Sequence, residues 1–230
     1  MALILCIDTS LNEAAVCITE NGEVLAREEN ESPADHAGWL TKTIRGMLLR
    51  TGRNIRDISA IAVTEGPGSY TGLRVGMATA KGMCYALQVP LITESTLILL
   101  GKRVKNQMTP DVAHPLPMLI CPMIDARRME VFTMLLDPQL NERLQPGAMI
   151  LNENSFSEEL AAHVILFCGN GSKKWQHLCI HSNAVFVDAA ADIADLADSA
   201  TAKFNQKAFS NLAYAEPAYL KKVYTGKQVD

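Results

Sequence analysis

The fold prediction begins at residues 2–10, which read Ala-Leu-Ile-Leu-Cys-Ile-Asp-Thr-Ser. The apolar residues at the start of this segment predict a buried strand, because a half-exposed strand would alternate apolar and polar positions. The polar residues that follow predict a turn, and residues 14–19 predict a second strand. Asn21 and Gly22 come next, and this pair is typical of tight hairpins since both residues tolerate positive φ. With a third strand at 23–30, the chain is predicted to begin as an antiparallel meander.

A helix, a strand, a second helix and a further strand are predicted after the meander. The first helix covers residues 33–50, where a proline at the first helical position follows a serine cap and Gly52 ends the helix. Buried strands are predicted at 58–63 and 89–93, on either side of a helix at 70–87. The first half therefore has the order β-β-β-α-β-α-β.

The second half repeats this order. Residues 118–124 predict a buried strand that runs into Ile-Asp-Ala-Arg, an echo of Ile-Asp-Thr-Ser in the first strand. Between the halves, residues 101–117 contain a glycine, three prolines and a Lys/Arg cluster, which is typical of a boundary. We therefore predict an α/β protein of two related lobes, 1–105 and 116–230, each a mixed five-stranded sheet with flanking helices. The C-terminal segment is expected to pack back on the first lobe. The remaining elements of the second lobe are predicted as strands at 130–136, 143–151, 164–168 and 184–187, a helix beginning near 155 and a long helix at 193–204.

Composition excludes several classes of protein. The chain has 230 residues, 48% of them hydrophobic and 20% charged, which is typical of a globular protein rather than a disordered one. No apolar run reaches the roughly 18 residues needed to cross a membrane. The net charge of −4 lacks the basic excess of a protein that binds nucleic acid by itself. The six cysteines form no C-x-x-C pair and lie mostly in apolar runs, so a reduced, cytoplasmic protein is predicted.

Two segments are candidates for binding phosphate. Asp8, Thr9 and Ser10 end the first strand, where a carboxylate can hold a metal or water and hydroxyls can bond phosphate oxygens. The alternative is a turn in which the Asp side chain bonds its own backbone. Gly66 and Gly68 lie in a loop between a strand and a helix, where backbone N–H groups can approach an anion. That loop is not a Walker A motif, because no Gly-Lys-Ser/Thr closes it.

No catalytic or metal-binding residue is predicted. His177 and His181 stand four positions apart, but they flank a strand-like segment rather than lying on a helix. One helical turn after His36 the chain has Leu40 instead of a second histidine. Neither a catalytic-triad signature nor a zinc-protease motif is present.

The helix predicted at 70–87 carries a stripe of small residues. Gly72, Gly76 and Ala80 recur at every fourth position, although each glycine within a helix costs roughly 1 kcal/mol relative to alanine. Two interpretations stay open. The stripe packs closely on the protein's own sheet or a neighbouring helix, or it forms a seam for a partner helix that Leu73, Met77 and Lys81 frame.

Motifs spread over the whole chain resemble the bacterial TsaB (YeaZ) family. The resemblance implies an actin-like, ribonuclease H-like fold of two related lobes, of the ASKHA group. The motifs are Ile-Leu-Cys-Ile-Asp-Thr-Ser from residue 4, His36 at the start of the first helix, Gly-Pro-Gly-Ser-Tyr-Thr-Gly-Leu-Arg-Val-Gly-Met-Ala-Thr-Ala-Lys-Gly from residue 66, Ile-Asp-Ala-Arg-Arg-Met-Glu-Val-Phe from residue 124, and Glu-Pro-Ala-Tyr-Leu-Lys-Lys from residue 216.

The resemblance also implies a function. The family takes part in forming N6-threonylcarbamoyladenosine next to the anticodon of tRNAs that decode ANN codons. In that complex, the paralogue TsaD carries the active site and holds a metal through a helical H-x-x-x-H motif, and TsaE is a P-loop ATPase. TsaB supports and positions TsaD without catalysing the reaction. Leu40, at the second histidine position of this motif, agrees with a non-catalytic role.

Partners and alternatives follow from the same resemblance. The chain is expected to bind a TsaD-like paralogue and a TsaE-like ATPase, and to reach tRNA through their complex; a homodimer is an option when it is alone. No cofactor and no membrane contact are expected, and ATP or ADP would bind only weakly. The alternative function is an actin-fold ATP-dependent phosphotransferase using Asp8, Ser10 and the loop at 66–68, with a glycoprotease-like peptidase as a further one. The expected interface comprises His36, Leu40, Tyr70, Gly72, Leu73, Gly76, Met77 and Ala80.

Overall fold

The computed structural model describes residues 2–11, 13–30, 36–108 and 116–221. The Ser-Pro start predicted for the first helix lies outside these ranges. The first half contains β1 (Leu3–Asp8), β2 (Ala14–Glu20), β3 (Glu23–Asn30), α1 (His36–Arg50), β4 (Ile58–Gly66), α2 (Tyr70–Leu87), β5 (Leu91–Ser95) and α3 (Thr96–Gln107). The second half contains β6 (Met118–Asp125), β7 (Glu130–Leu136), β8 (Glu142–Ile150), α4 (Ser157–Ala162), β9 (Val164–Cys168), β10 (Ala184–Val187) and α5 (Ile193–Asn205).

Each half builds one mixed five-stranded sheet, which confirms the predicted α/β class. The strand order is β3-β2-β1-β4-β5 in the first sheet and, read in the same sense, β8-β7-β6-β9-β10 in the second. In both sheets a three-stranded antiparallel meander is extended by two parallel strands. Asn21 and Gly22 have φ of 52° and 93°, which are the positive values that the predicted hairpin requires.

Helix α3 occupies part of the segment predicted to be a boundary. The glycine and the cationic residues of this segment indicated a linker. Gly101, however, lies within the helix and faces β7, where a Cβ would come 2.4 Å from Cδ1 of Leu136. The glycine is therefore needed for close packing of the helix on the sheet. Helix propensity, which depends on the local sequence, does not contain this requirement.

Two helices cross over between the halves. Helix α3 comes from the first half but packs mainly on the second sheet, and α5 comes from the second half but packs on the first sheet. The predicted lobes, 1–105 and 116–230, are therefore continuous in sequence, but each contributes a helix that packs on the sheet of the other. The apolar residues that make these contacts are Leu97, Leu100 and Val104 of α3, and Ile193, Leu196, Ala197 and Ala200 of α5; Leu99 of α3 packs on the first sheet.

Residues 206–221, here called the C-terminal strap, run from α5 along the first lobe and then to the second. The Ser210 N–H donates to the carbonyl of Leu91 on β5 at 2.8 Å. The Ala218 N–H donates to the Glu65 carbonyl at 2.7 Å, beside the loop that begins α2. Lys221 then reaches Glu130 on β7, with 2.5 Å between Nζ and Oε2. The strap thus contacts both halves of the molecule.

The Asp195→Asn variant is expected to be more stable than the wild-type chain at neutral pH. Asp195 is buried at the start of α5, and its Oδ2 accepts no hydrogen bond, although Arg103 lies 3.8 Å away. Burial raises the pKa of the Asp195 carboxyl, and the neighbouring Arg103 offsets only part of this increase. Because the folded-state pKa is above the unfolded value, the carboxyl favours folding below the unfolded pKa, and this contribution is lost as pH rises through the folded pKa.

Urea unfolding at several pH values checks this prediction. The gain in free energy of unfolding should be present at pH 7 and should disappear toward pH 3, where both states carry a protonated Asp195. Asp198→Asn is the matched control, because that side chain is 57% exposed on the same helix. Equal stability of the Asp195 variant and the wild type at pH 7 would contradict the prediction.

Candidate functional site

Asp8 ends β1 and orders the turn that follows it. Its Oδ1 accepts hydrogen bonds from the Ser10 N–H at 2.9 Å and from the Ser10 hydroxyl at 2.7 Å. The hydroxyl of Thr64, on the neighbouring β4, donates to the same oxygen at 2.8 Å. One carboxylate oxygen therefore serves three donors of its own chain, which is the turn arrangement that the sequence left open as an alternative.

The hydroxyls predicted to meet phosphate are also bonded within the chain. Thr9 and Ser10 are fully buried, and the Thr9 hydroxyl donates to the Gly72 carbonyl at 2.7 Å. The Ser10 carbonyl accepts the N–H of Ser69, the cap of α2, at 2.6 Å. The structure thus brings the two predicted phosphate segments together, but their polar groups bond to one another. A phosphate ligand would have to displace these hydrogen bonds.

Gly66 and Gly68 allow the loop before α2 to approach β1 closely. Gly66 has a φ of 108°, and a Cβ there would lie 2.8 Å from Cδ1 of Leu73. A Cβ on Gly68 would lie 2.0 Å from the carbonyl oxygen of Ser10. Both glycines are therefore required by contacts inside the chain, whether or not an anion also binds near them.

The stripe of small residues on α2 faces the sheet of its own lobe. A Cβ would lie 2.1 Å from the Thr9 carbonyl oxygen at Gly72, and 2.2 Å from the Thr9 hydroxyl oxygen at Gly76. Ala80 is fully buried. The structure therefore corrects the seam interpretation: this stripe packs internally and is not open to a partner helix.

The other predicted interface residues are divided between core and surface. Leu40, Leu73 and Met77 are buried, so in this chain they contribute to the core rather than to an open surface. Tyr70 is 44% exposed at the first position of α2. His36 begins α1, but its side chain lies outside the part of the molecule that the structure describes.

A different face of α1 and α2 is open, and we call it the outer face: Gly46, Leu49, Ala78, Gly82 and Ala86. No heavy atom lies within 4 Å of a Cβ built on Gly82, and one on Gly46 meets only the guanidinium of Arg50 at 3.6 Å. Leu49 is 72% exposed and lines a mostly apolar groove of about 490 Å³ between the two helices. Sequence reasoning missed this face, although Ala78, Gly82 and Ala86 repeat the four-residue spacing of the inner stripe.

Asp125 is the counterpart of Asp8 at the end of β6. Its Oδ1 lies 2.6 Å from Nζ of Lys174 and accepts the N–H of Arg127 at 2.7 Å. Burial acts to raise the pKa of Asp125, but the hydrogen bonds from Lys174 and Arg127 outweigh it, so the pKa lies below its ordinary value. Asp125 is therefore paired with a cation of its own chain, whereas the donors to Asp8 are uncharged. No spacing in the sequence pointed to Lys174.

A cleft of about 560 Å³ opens between the halves beside Asp8. Acidic side chains outnumber basic ones in its lining, so binding of a polyphosphate without a cation is electrostatically unfavourable. The two arginines in the lining are both close to one carboxylate: Arg103 lies 3.2 Å and Arg27 3.6 Å from Asp192. The charged residues that line this cleft are Asp8, Glu13, Arg27, Glu29, Arg103, Asp188 and Asp192.

The remaining chemical candidates are inert in this arrangement. Among the residues that the structure describes, no three His, Cys, Asp or Glu side chains are placed to hold a metal ion. His177 and His181 are exposed in an irregular segment rather than on a helix face. Burial raises the pKa of the Cys84 thiol to about 11 and that of Cys168 to about 12, so neither is a thiolate nucleophile at neutral pH.

The described helices include none with both the length and the apolar character needed to cross a membrane.

Comparison with known proteins gives one consistent result. The profile of the tRNA N6-adenosine threonylcarbamoyltransferase family, TsaD, matches residues 24–229. The chain is 33% identical over 131 residues to the tRNA threonylcarbamoyladenosine biosynthesis protein TsaB of Escherichia coli K12, covering 56% of this chain and 52% of that protein. It is 30% identical over 130 residues to the Bacillus subtilis 168 protein of the same name, covering 56% and 53%. The matches span about half the length of these curated relatives.

Solved structures share the fold. YeaZ from Pseudomonas aeruginosa superimposes with a TM-score of 0.76 at 24% identity, over 96% of this chain and 100% of that one. A second Pseudomonas aeruginosa structure, of a protein with similarity to peptidase YEAZ, gives a TM-score of 0.79 at 24% identity over the same shares. At this identity the likeness establishes the two-sheet architecture and nothing about activity.

Proposed function

The chain belongs to the tRNA N6-adenosine threonylcarbamoyltransferase family as a member of its TsaB (YeaZ) group, and on that basis we propose that it is a non-catalytic subunit of the assembly that forms N6-threonylcarbamoyladenosine in tRNA. In this proposal a TsaD-like paralogue performs the reaction and a TsaE-like ATPase completes the complex. The chain carries no cofactor and acts in the cytoplasm.

One observation carries the proposal: in each strand-end carboxylate, one oxygen is already bonded by groups of the same chain. Asp8 is bonded by Ser10 and Thr64, and Asp125 is bonded by Lys174. An actin-like phosphotransferase needs such groups free for a metal, a water or a phosphate. The acidic cleft beside Asp8 is also unfavourable for the phosphates of ATP alone, so this geometry gives less support to the alternative of a phosphotransferase.

The outer face of α1 and α2 supports the second part of the proposal, which is binding to the paralogue. Small residues at Ala78, Gly82 and Ala86 allow another helix to approach closely, and the exposed Leu49 supplies apolar area beside them. The relatives named TsaD are similar to this chain in sequence, so a paralogue of the same fold is expected to present an equivalent helix pair. When the paralogue is absent, a second copy of this chain can dock there and form a homodimer.

Reconstitution from purified components tests the function. The chain is combined with its TsaD-like and TsaE-like partners, tRNA with an ANN-reading anticodon, threonine, bicarbonate, ATP and the enzyme that makes threonylcarbamoyl-AMP. We expect modified nucleoside, measured by mass spectrometry of digested tRNA, to fall at least ten-fold when the chain is omitted. The chain alone should hydrolyse neither ATP nor peptides. Equal product with and without it would refute the proposal.

A further inference from the structure

A second cleft opens between the halves on the side of α2, and it lacks the acidic excess of the first cleft. It has a volume of about 510 Å³ and lies between the start of α2 and the turn that joins β6 to β7. Ser69, Tyr70 and Thr71 contribute from α2 and its cap, and Asp125 and Arg127 contribute from the turn. We call this the β6–β7 cleft.

In the part of the chain that the structure describes, the charges without a partner at this cleft are those of arginines. Asp125, the one carboxylate among its described lining residues, is already paired with Lys174 at 2.6 Å. Arg127 and the adjacent Arg128 are exposed, and within the described residues neither guanidinium has a carboxylate partner. Arg127 and Arg128 thus place two neighbouring cations without carboxylate partners at this cleft.

An ordered aromatic platform stands at the edge of the cleft. The guanidinium carbon of Arg74 lies 4.0 Å from the ring centroid of Tyr70, and its Nε donates to the hydroxyl of Tyr219 at 2.9 Å. The two tyrosine rings are 5.4 Å apart between centroids, and they are 44% and 42% exposed. Cation–π contacts of this kind hold both rings in place while leaving ring surface open.

The C-terminal strap fixes this platform against the cleft. The hydrogen bond from the Ala218 N–H to the Glu65 carbonyl positions the residue immediately before Tyr219. Lys221, two residues after Tyr219, pairs with Glu130 at the other end of the turn that carries Arg127. The strap therefore pairs the Glu130 carboxylate with a cation and places Tyr219 beside Tyr70, which lines the cleft.

We propose that the β6–β7 cleft and its Tyr70–Arg74–Tyr219 platform bind single-stranded RNA directly, with the arginines on phosphates and an unpaired base stacked on a tyrosine. Unstacked bases in RNA loops are recognised by stacking on aromatic side chains or on the planar guanidinium group of arginine. An arginine without a carboxylate partner can bind a phosphate with two parallel hydrogen bonds. A protein partner is less favoured, because the exposed aliphatic side chains of the described chain lie elsewhere. The inference rests on the proposed function and deepens it, since it gives this chain its own contact with the tRNA substrate.

Titration of a fluorescein-labelled, unmodified tRNA transcript with the reconstituted complex tests the inference by anisotropy. Arg127→Ala should weaken binding roughly five-fold or more and lower the slope of log K against log salt by about 0.7 for each phosphate that the variant no longer neutralises. Tyr70→Ala should weaken binding by a similar factor and leave the slope unchanged, because stacking releases no counterions. Lys105→Ala is the matched control, since it removes an exposed cation of α3 that lies outside the lining of this cleft.

The affinity for the TsaD-like paralogue and the Tm are measured on the same samples, so that a loss of RNA binding is distinguished from a loss of the partner or of the fold. Weaker RNA binding with intact partner affinity and an unchanged Tm supports the inference. RNA affinities equal to that of the Lys105 variant overturn it, and so does a loss confined to partner affinity, which would identify a protein contact. If the wild-type chain forms no complex with the paralogue, the proposed function fails. The same titration with the chain alone then decides the inference, which stands only if RNA binding depends on Arg127 and Tyr70.

Discussion

Replacement of Gly76 by leucine is expected to destabilise the isolated chain strongly. A Cβ at this position would lie 2.2 Å from the hydroxyl oxygen of Thr9 and 3.5 Å from Cγ2 of Val63. The hydroxyl is fully buried and donates to the Gly72 carbonyl, so moving it breaks a hydrogen bond, and three further carbons find no space. Overpacking costs about 1–3 kcal/mol per site and more when backbone must move, so a loss of about 4 kcal/mol from a total of roughly 5–15 is expected.

Gly82→Leu provides the matched control on the same helix. No heavy atom lies within 4 Å of a Cβ at Gly82, so the variant should keep its stability or gain up to about 1 kcal/mol of helix propensity. Urea unfolding followed by circular dichroism measures both variants. Similar urea midpoints for the two variants would contradict the assignment of Gly76 to the buried face of α2 and of Gly82 to its open face.

The second large effect concerns association: Gly82→Arg is expected to weaken binding to the TsaD-like paralogue at least 100-fold. The small residues of the outer face allow close helix contact only while their side chains stay short. An arginine at Gly82 would hold the helices apart and bury an unpaired charge, and changes at the centre of an interface commonly cost about 2–4 kcal/mol or more. Because the site is open in the lone chain, folding should be unaffected, and calorimetric titration of the purified paralogue reports the weaker binding directly.

Gly147→Arg distinguishes this effect from a general effect of added charge. Gly147 lies on β8 of the second sheet, and the nearest heavy atom to a Cβ there is 4.0 Å away. The variant should bind the paralogue as the wild type does, whereas Leu49→Asp should weaken binding as Gly82→Arg does. Wild-type affinity of Gly82→Arg would show that the outer face is not the docking surface.

Local patterns were sufficient to predict most of the architecture. The repeated order of strands and helices could be predicted because each buried strand is a continuous apolar run and the hairpins carry turn residues such as Asn21 and Gly22. Helix α3 was missed because Gly101 is unfavourable in an isolated helix, and its purpose is visible only against Leu136. The crossing of α3 and α5 was also missed, since an amphipathic helix does not specify which of two similar sheets it covers.

The site could be predicted only in part, for a related reason. Spacing showed that Gly72, Gly76 and Ala80 share a face, but Ala78, Gly82 and Ala86 share the opposite region of the same helix with the same chemistry. Which stripe turns inward depends on Thr9, which is distant in sequence. Similarly, the residue types in Asp-Thr-Ser were identified correctly, but whether their polar groups are free depends on Thr64 and on the backbone of α2.

The crossing of α3 and α5 also determines when the protein can complete its fold during synthesis. The first sheet is fully translated at Ser95, but α5 does not follow until about 110 further residues have been added. At elongation rates of about 5–20 residues per second, the side of that sheet formed by Ile4, Ala60 and Ile92 stays without its cover by α5 for roughly 5–20 s. In that interval the nascent chain presents an apolar surface to ribosome-associated chaperones. Only a polypeptide synthesised past α5 can withdraw that surface from them.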